Sequence, residues 1–214
     1  MILNGVLRPY GEMPAETERS IRASVEIEGR SYVFVSFRLE GFGARVRIPE
    51  PSALVASVRS QGQLRFAEAT RLQIAGVTSG IDIPKASDVG RTDGLWRSTC
   101  FEVFAMTGGG GYAEFNISPS GEWAAYGFSG YREGQSNLPG PIEVIRAEPA
   151  GDAFELDAII SWRDWPRIDR IGLSAVIEDI DGSLSYWALA HPSDKPDFHH
   201  PDSFTLTLPP LEPA

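Results

Sequence analysis

The three histidines of this 214-residue chain all lie in one short segment. His191, His199 and His200 alternate there with three aspartates between residues 191 and 202. Imidazole and carboxylate groups are common ligands of zinc and other divalent ions, so the segment could belong to a metal-assisted enzyme. Three prolines in the same stretch mark it as an ordered loop. This favours the alternative, in which His199 or His200 anchors the loop or contacts a ligand and no metal is bound.

Two glutamates, Glu102 and Glu114, flank four consecutive glycines. Glycoside hydrolases use such a pair, with the two carboxyl groups about 5–9 Å apart. If Thr107 pairs with Tyr112 across the glycine loop, the two glutamates point to opposite faces of the hairpin and cannot act together. A register shift of one residue would reverse this. The sequence therefore predicts no catalytic residues here.

Aromatic residues are concentrated around these glutamates. Nine of the chain's 22 aromatic residues lie between Trp96 and Tyr131, which is 36 of 214 positions. Trp96, Trp123 and Trp187 each stand near a predicted strand end beside polar residues. Aromatic rings stack on the apolar face of a sugar, while nearby polar groups bind its hydroxyls. The density predicts either the centre of the core or a ligand site.

Alternating apolar and polar residues predict the strands that would position these side chains. The alternation runs over Ile21–Ile27, Tyr32–Leu39 and Phe154–Ile160. Asp181-Gly182 is a dipeptide typical of tight hairpins. Residues 51–70 fit a short helix or an irregular strand equally well.

Ten to twelve short strands and an excess of turn residues, 22 Gly and 16 Pro, predict an all-β protein. We expect a single domain over residues 1–214, built as an antiparallel β-sandwich of jelly-roll type with at most one or two short helices.

Composition excludes several function classes. The net charge of −10 argues against nucleic acid and anionic membranes, which select for a basic surface. The single cysteine, Cys100, excludes an internal disulfide and a cysteine-based zinc site. No stretch has the length of a membrane span or the features of a signal peptide, so the sequence as given predicts a cytoplasmic protein. It leaves the oligomeric state open.

Several segments together resemble a known family. They are LWRSTCFEVF at residues 95–104, YAEFNISPSGEWAAY at 112–126, FSGYR at 128–132 and YWALAHP at 186–192, followed by PDFHH at 196–200 and Phe204. The chain resembles the bacterial DOMON-like proteins, which are related to family 9 carbohydrate-binding modules. The match covers about residues 88–132 and 172–208. Residues 50–85 look longer than the family pattern and suggest an insertion.

The resemblance implies an antiparallel β-sandwich whose relatives bind sugars or, in some branches, haem. The sugar-binding members clamp a terminal sugar between two tryptophans, for which Trp96 and Trp187 are the counterparts by position. The haem-binding members use one Met and one His, for which Met106 and a histidine of the 191–200 loop are the counterparts. The ligand-binding residues expected here are Trp96, Glu102, Asn116, Trp123, Tyr126, Arg132, Trp187 and His199.

The function expected from the sequence is a non-catalytic binding module for a saccharide or a related polyhydroxylated small molecule. The main alternative is a metal-assisted enzyme that acts on a sugar derivative through the loop at residues 191–202. A haem-binding module is the lesser alternative. No cofactor is expected.

Overall fold

The computed structural model describes residues 1–13, 18–28, 32–42, 45–50, 90–139, 142–161 and 167–209. Within these residues the chain forms twelve β-strands and no α-helix, which confirms the all-β prediction. The strands are β1 (Ile2–Pro9), β2 (Ser20–Glu28), β3 (Tyr32–Glu40), β4 (Cys100–Thr107), β5 (Tyr112–Ile117), β6 (Trp123–Phe128), β7 (Ser136–Asn137), β8 (Ile142–Ala150), β9 (Ala153–Ser161), β10 (Ile168–Glu178), β11 (Leu184–Ala188) and β12 (Leu206–Thr207).

All twelve strands join one antiparallel sheet that curls over on itself. Eleven of them follow the order β7-β6-β5-β4-β10-β11-β1-β2-β3-β9-β8, and β12 pairs with β10. Strand β1 connects the two halves, since it pairs with β2 and, through Arg8 and Pro9, with β11. We call β1, β2, β3, β9 and β8 the first layer, and β11, β10, β4, β5, β6 and β7 the second layer. The predicted sandwich-like architecture is confirmed in this curled form.

The main core lies between the two layers. The predicted alternation in β3 is realised, because Val33, Val35, Phe37 and Leu39 are all buried there. The ring of Phe37 meets that of Phe101 from the second layer at 4.9 Å between centroids. Each side chain of this size that is fully buried stabilises the fold by about 1.5–3 kcal/mol.

The outer face of the second layer is apolar too and forms a second cluster. Phe104, Tyr112 and Phe128 belong to this cluster, together with Phe204 from a C-terminal segment. We call residues 189–205 the covering loop, because its Phe198 and Phe204 side chains pack on that face. Burial on both sides explains why every residue from 171 to 177 except Ser174 is apolar.

Gly172 makes the contact between the covering loop and β10 possible. A Cβ atom at this position would lie 2.4 Å from Cδ1 of Phe204. The ring of Phe204 also stacks on Phe104, with 5.4 Å between centroids. The absence of a side chain at Gly172 therefore lets the loop approach the sheet.

The hairpin between β4 and β5 corrects the predicted register. Thr107 pairs with Gly111, donating its backbone N–H to the Gly111 carbonyl at 2.9 Å, and Met106 lies opposite Tyr112. Gly110 takes the left-handed conformation, with φ of 84°, so the connection has three residues, a common hairpin loop that ends on such a glycine. The prediction that Thr107 pairs with Tyr112 is wrong by one residue.

The hairpin predicted at Asp181-Gly182 is confirmed between β10 and β11, with Gly182 at φ of 87°.

The ambiguous segment 51–70 falls outside the described residues, as does nearly all of the suggested insertion at 50–85. The single domain therefore stays a prediction. None of the helices in the described ranges has the length and apolar character needed to cross a membrane.

Candidate functional site

A cavity of about 460 Å³ opens between the outer face of the second layer and the covering loop. This is the size of typical small-molecule sites, which range over about 300–1,000 Å³. The cavity is lined by Trp96, Glu102, Glu114, Tyr126, Phe128, Arg132, Gln135, Val176, Tyr186, Pro196, Phe198 and His199.

Most of the residues expected from the sequence meet in this cavity. Five of the eight line it: Trp96, Glu102, Tyr126, Arg132 and His199. A sixth, Asn116, is fully buried beside it and donates from Nδ2 to Oε1 of Glu114 at 2.7 Å.

Trp187 and Trp123 do not reach the cavity. Both lie on the opposite face of the second layer, in the main core, with 1% and 2% of their surface exposed. The ring of Trp187 packs against Phe42 at 5.4 Å between centroids. The predicted clamp between Trp96 and Trp187 is therefore not formed. Tyr186, the preceding residue on β11, lines the cavity instead.

Glu102 and Glu114 form the acidic part of the cavity lining. Glu102 pairs with Asn116 across the hairpin, so Glu114 lies diagonal to Glu102 on the same face. The predicted placement on opposite faces is wrong, because it depended on the register that the glycine loop shifts by one residue. Glu114 was missed as a site residue for the same reason.

Burial of these two carboxyl groups favours their protonated forms. It raises the pKa of Glu102 well above its usual value, and the charge of Glu114 raises it further. Burial also raises the pKa of Glu114, although the hydrogen bond from Asn116 opposes this. Glu102 accepts a hydrogen bond from Oγ of Ser174 at 3.3 Å.

His199 is held at the cavity wall by a chain of hydrogen bonds. The backbone N–H of Arg132 donates to the Tyr112 hydroxyl at 3.1 Å, and that hydroxyl lies 2.9 Å from Nδ1 of His199. Burial raises the pKa of Tyr112, which keeps the hydroxyl a donor. This network assigns the imidazole proton to Nε2, which lies 3.6 Å from Oε2 of Glu114.

The imidazole of His199 is neutral at pH 7. Burial, aided by the positive charge of Arg132, lowers the pKa of His199 to about 4. Its Nε2–H is therefore a neutral hydrogen-bond donor on the cavity wall.

Asp197 fixes the covering loop to the cavity rim. Its Oδ1 accepts from the Arg132 guanidinium at 2.8 Å, and its Oδ2 accepts from the Tyr131 hydroxyl. The backbone N–H of His199 also donates to Oδ1, at 3.2 Å. Burial works against the charge of Asp197, but the bonds from Tyr131 and Arg132 keep its pKa below the usual value. Asp197 therefore compensates the positive charge of Arg132.

Trp96 is the exposed aromatic residue of the site. It lies on a short 3₁₀ turn, Leu95–Arg97, and 41% of its surface is exposed. Its ring meets that of Tyr126 edge-on at 6.3 Å. The Tyr126 hydroxyl donates to Oδ1 of Asp93 at 2.6 Å, which secures this wall of the cavity.

The three histidines do not converge on a metal. Nε2 of His191 lies 2.8 Å from the Arg8 carbonyl, and Nδ1 of His200 accepts the backbone N–H of Asp202 at 3.2 Å. In the part of the chain that the structure describes, no three His, Cys, Asp or Glu residues are grouped to hold an ion. The loop-anchor interpretation agrees with the contacts of His200.

The residues considered for haem do not suit it either. Sδ of Met106 accepts a hydrogen bond from the Arg170 guanidinium at 2.9 Å and Met106 does not line the cavity, while Nδ1 of His199 is bonded to Tyr112. The two side chains are therefore not set up as axial ligands.

A second cavity of about 480 Å³ lies on the outer face of the first layer. Four of its five charged lining residues pair with each other, Arg38 with Glu155 and Arg146 with Asp157 at 2.6 Å, and the fifth, Arg22, pairs with Glu40 beside the cavity. Charges satisfied in this way leave fewer groups for a ligand, so the first cavity is the better candidate site.

Comparison with known proteins adds a fold relative. A crystal structure of a putative carbohydrate-binding protein from Bacteroides uniformis is similar over 95% of this chain and 84% of its own, with a TM-score of 0.51 and 12% identity. At that identity the likeness concerns the fold. No protein-family model and no curated protein matches the sequence.

Proposed function

We propose that this chain is a non-catalytic module that binds a saccharide or a similar polyhydroxylated molecule in the first cavity. The observation that carries the proposal is the lining itself, which combines the exposed ring of Trp96 with the buried carboxyl groups of Glu102 and Glu114 and the partly buried imidazole of His199. Aromatic rings next to convergent polar groups are the usual means of binding a sugar.

The polar groups offer both donors and acceptors to sugar hydroxyls. Glu114 accepts, the Nε2–H of His199 donates, and protonated Glu102 can do both. Their orientation is fixed before a ligand arrives, since Asn116 holds Glu114 and Tyr112 holds His199. A pre-organised site loses less entropy on binding.

Two further observations agree with this proposal. The Bacteroides uniformis protein of similar fold is itself described as carbohydrate-binding. The segments that resemble the DOMON-like proteins, residues 95–104 and 112–132, form much of the cavity wall, and we include membership of that family in the proposal.

Isothermal titration calorimetry against a broad panel of neutral, amino and acidic oligosaccharides tests the proposal. We expect at least one glycan to bind the wild type and Trp96→Ala to weaken that binding about tenfold or more. Val6→Ala removes an exposed apolar side chain at the second cavity and serves as the control, with unchanged affinity. Absence of binding across the whole panel would contradict the proposal.

The shared face of Glu102 and Glu114 favours a second candidate, a glycoside hydrolase. The backbones of diagonal neighbours across an antiparallel pair are about 7–8 Å apart, and two glutamate side chains on that spacing can reach the separation of about 6.5–9.5 Å between carboxyl groups that inverting enzymes use. Turnover of panel glycans that is lost in Glu114→Gln would establish it. If the panel glycans are still intact after prolonged incubation, the hydrolase candidate is excluded and the binding module is supported.

A further inference from the structure

We propose that the saccharide bound in the first cavity carries a protonated amine, and that this ammonium group lies between Glu102 and Glu114. This inference rests on the proposed function and specifies the class of its ligand. It follows from the charges, the geometry and the aromatic lining of the cavity.

The charges of the cavity are unbalanced in favour of acids. The guanidinium of Arg132 is already paired with Asp197 at 2.8 Å, and His199 is neutral. Among the described residues, no ion pair includes Glu102, and the one ionisable group within ion-pair distance of Glu114 is the neutral His199. The charge of Arg132 favours the ionised form of both carboxyl groups without pairing with either. An arriving cation would therefore find two buried carboxyl groups, neither of which forms an ion pair with a cation of the described residues.

The geometry leaves an acceptor site between the two carboxyl groups. Oε2 of Glu102 accepts from Ser174, and Oε1 of Glu114 accepts from Asn116. Within the described part of the chain, no hydrogen bond is formed by Oε1 of Glu102. Because both side chains point to the same face, an ammonium with three donors can bind to both.

The rest of the lining suits a cation as well. Tyr126, Phe128, Tyr186 and Phe198 line the same cavity, with Trp96 at its rim. Aromatic faces attract ammonium groups, most strongly away from water. The net charge of −10 further favours the approach of a cation over that of an anion.

Binding of an amine has a measurable proton signature. Burial keeps Glu102 protonated in the empty cavity, and an adjacent ammonium favours its ionised form, so binding releases a proton. Affinity should then increase as the pH rises towards the pKa of the amine. The titratable groups that share the cavity or neighbouring strand positions with Glu102 are Cys100, Glu114, Tyr126, Arg132, Tyr186 and His199.

Three tetrasaccharides with the same β-1,4 backbone test the inference. Cellotetraose has a hydroxyl at C2, chitotetraose an N-acetyl group, and the glucosamine tetramer an amine that is charged at pH 6. Calorimetry in two buffers of different ionisation enthalpy gives both the affinity and the protons released. We expect the glucosamine tetramer to bind about tenfold or more tighter than the other two, with net proton release.

Two variants connect this preference to the carboxyl pair. Glu102→Gln should reduce the preference to about twofold or less and remove the proton release. Glu148→Gln, on the exposed edge strand β8, removes the same charge elsewhere and should keep both. Thermal unfolding of each variant verifies that it is folded.

The outcomes separate this inference from the proposed function. Equal or tighter binding of cellotetraose or chitotetraose overturns the inference and supports the saccharide module. If Glu102→Gln still prefers the glucosamine tetramer, the inference is also overturned, because the overall negative charge of the protein then explains the preference. If none of the three tetrasaccharides binds but other neutral glycans do, only the inference of an amine is overturned. If no glycan of the panel binds, both that inference and the proposed saccharide module are overturned.

Discussion

Glu114 lies diagonal to Glu102 across the β4–β5 hairpin, and both side chains face the same cavity. Both carboxyl groups are buried, with 3% of Glu102 and 5% of Glu114 exposed. This relationship gives the outer face of the second layer its chemical character.

The stability of the unliganded protein should depend on pH through Glu102. Its folded-state pKa is raised above the unfolded value of about 4.5, so above that pH the unfolded chain loses a proton that the folded chain retains. Stability is therefore lost as the pH rises towards the folded-state pKa. The stability of Glu102→Gln, which has no such carboxyl group, should therefore increase relative to the wild type as the pH rises from 5 to 8.

Urea unfolding of both proteins at pH 5, 6, 7 and 8 measures this difference. The advantage of Glu102→Gln should grow along the series. A constant difference would mean that Glu102 ionises alike in the folded and unfolded chains.

The tryptophans should separate into one that binds and one that stabilises. Trp96→Ala should leave the thermal midpoint nearly unchanged, because the side chain is partly exposed at the cavity rim. Trp187→Ala should cost about 3–5 kcal/mol, since it leaves a void in the main core. Denaturant unfolding of the two variants measures this contrast, and a strongly destabilised Trp96→Ala would argue that Trp96 serves the fold.

The histidine ring signals in an NMR titration should identify His199. Its midpoint is expected at about pH 4, and the signals should disappear in His199→Gln. As the pH falls from 6.5 to 4, His199 is protonated in the unfolded chain but stays neutral in the folded chain. The free energy of unfolding therefore decreases over that range.

Tyr112→Phe should raise that midpoint, because the lost hydroxyl donates to Nδ1 and stabilises the neutral ring. Tyr126→Phe, whose hydroxyl bonds to Asp93, is the matched control and should leave it unchanged. A His199 midpoint near 6.5 in the wild type would contradict the buried, neutral imidazole.

Gly172 should be the glycine on which the covering loop depends. Gly172→Ala places a methyl group against Phe204 and should destabilise the protein by about 1–3 kcal/mol. It should also weaken glycan binding, because the loop carries His199. Gly109→Ala, whose nearest neighbour would be Oγ1 of Thr107 at 3.9 Å, should change stability by less than about 0.5 kcal/mol. Equal effects of the two variants would argue against close packing at Gly172.

The sequence predicts the strands well because their alternation is a local property. Tyr32–Leu39 and Phe154–Ile160 lie within β3 and β9, as predicted. The register across residues 108–111 is harder to predict, because any of four consecutive glycines could take the left-handed conformation. Gly110 takes it, and that choice moves Glu114 to the face of Glu102.

The faces of β11 were equally hidden in the sequence. Tyr186 and Trp187 are adjacent aromatic residues, and period-2 alternation does not tell which of them points inward. Pairing with β10 places Tyr186 opposite Val176 on the cavity face and Trp187 opposite Ala175 in the core. Its place at a strand end and the resemblance to sugar-binding modules favoured the tryptophan as a ligand contact, whereas its large apolar surface is buried in the core.

The most direct test of the saccharide site follows the indole N–H signals of the five tryptophans during titration with a glycan that binds. We predict a saturable shift of the Trp96 signal, while those of Trp123 and Trp187 stay in place because they lie on the other face of the layer. Saturable binding that leaves Trp96 unperturbed and shifts backbone signals at the second cavity, around Arg38 and Arg146, would contradict the account.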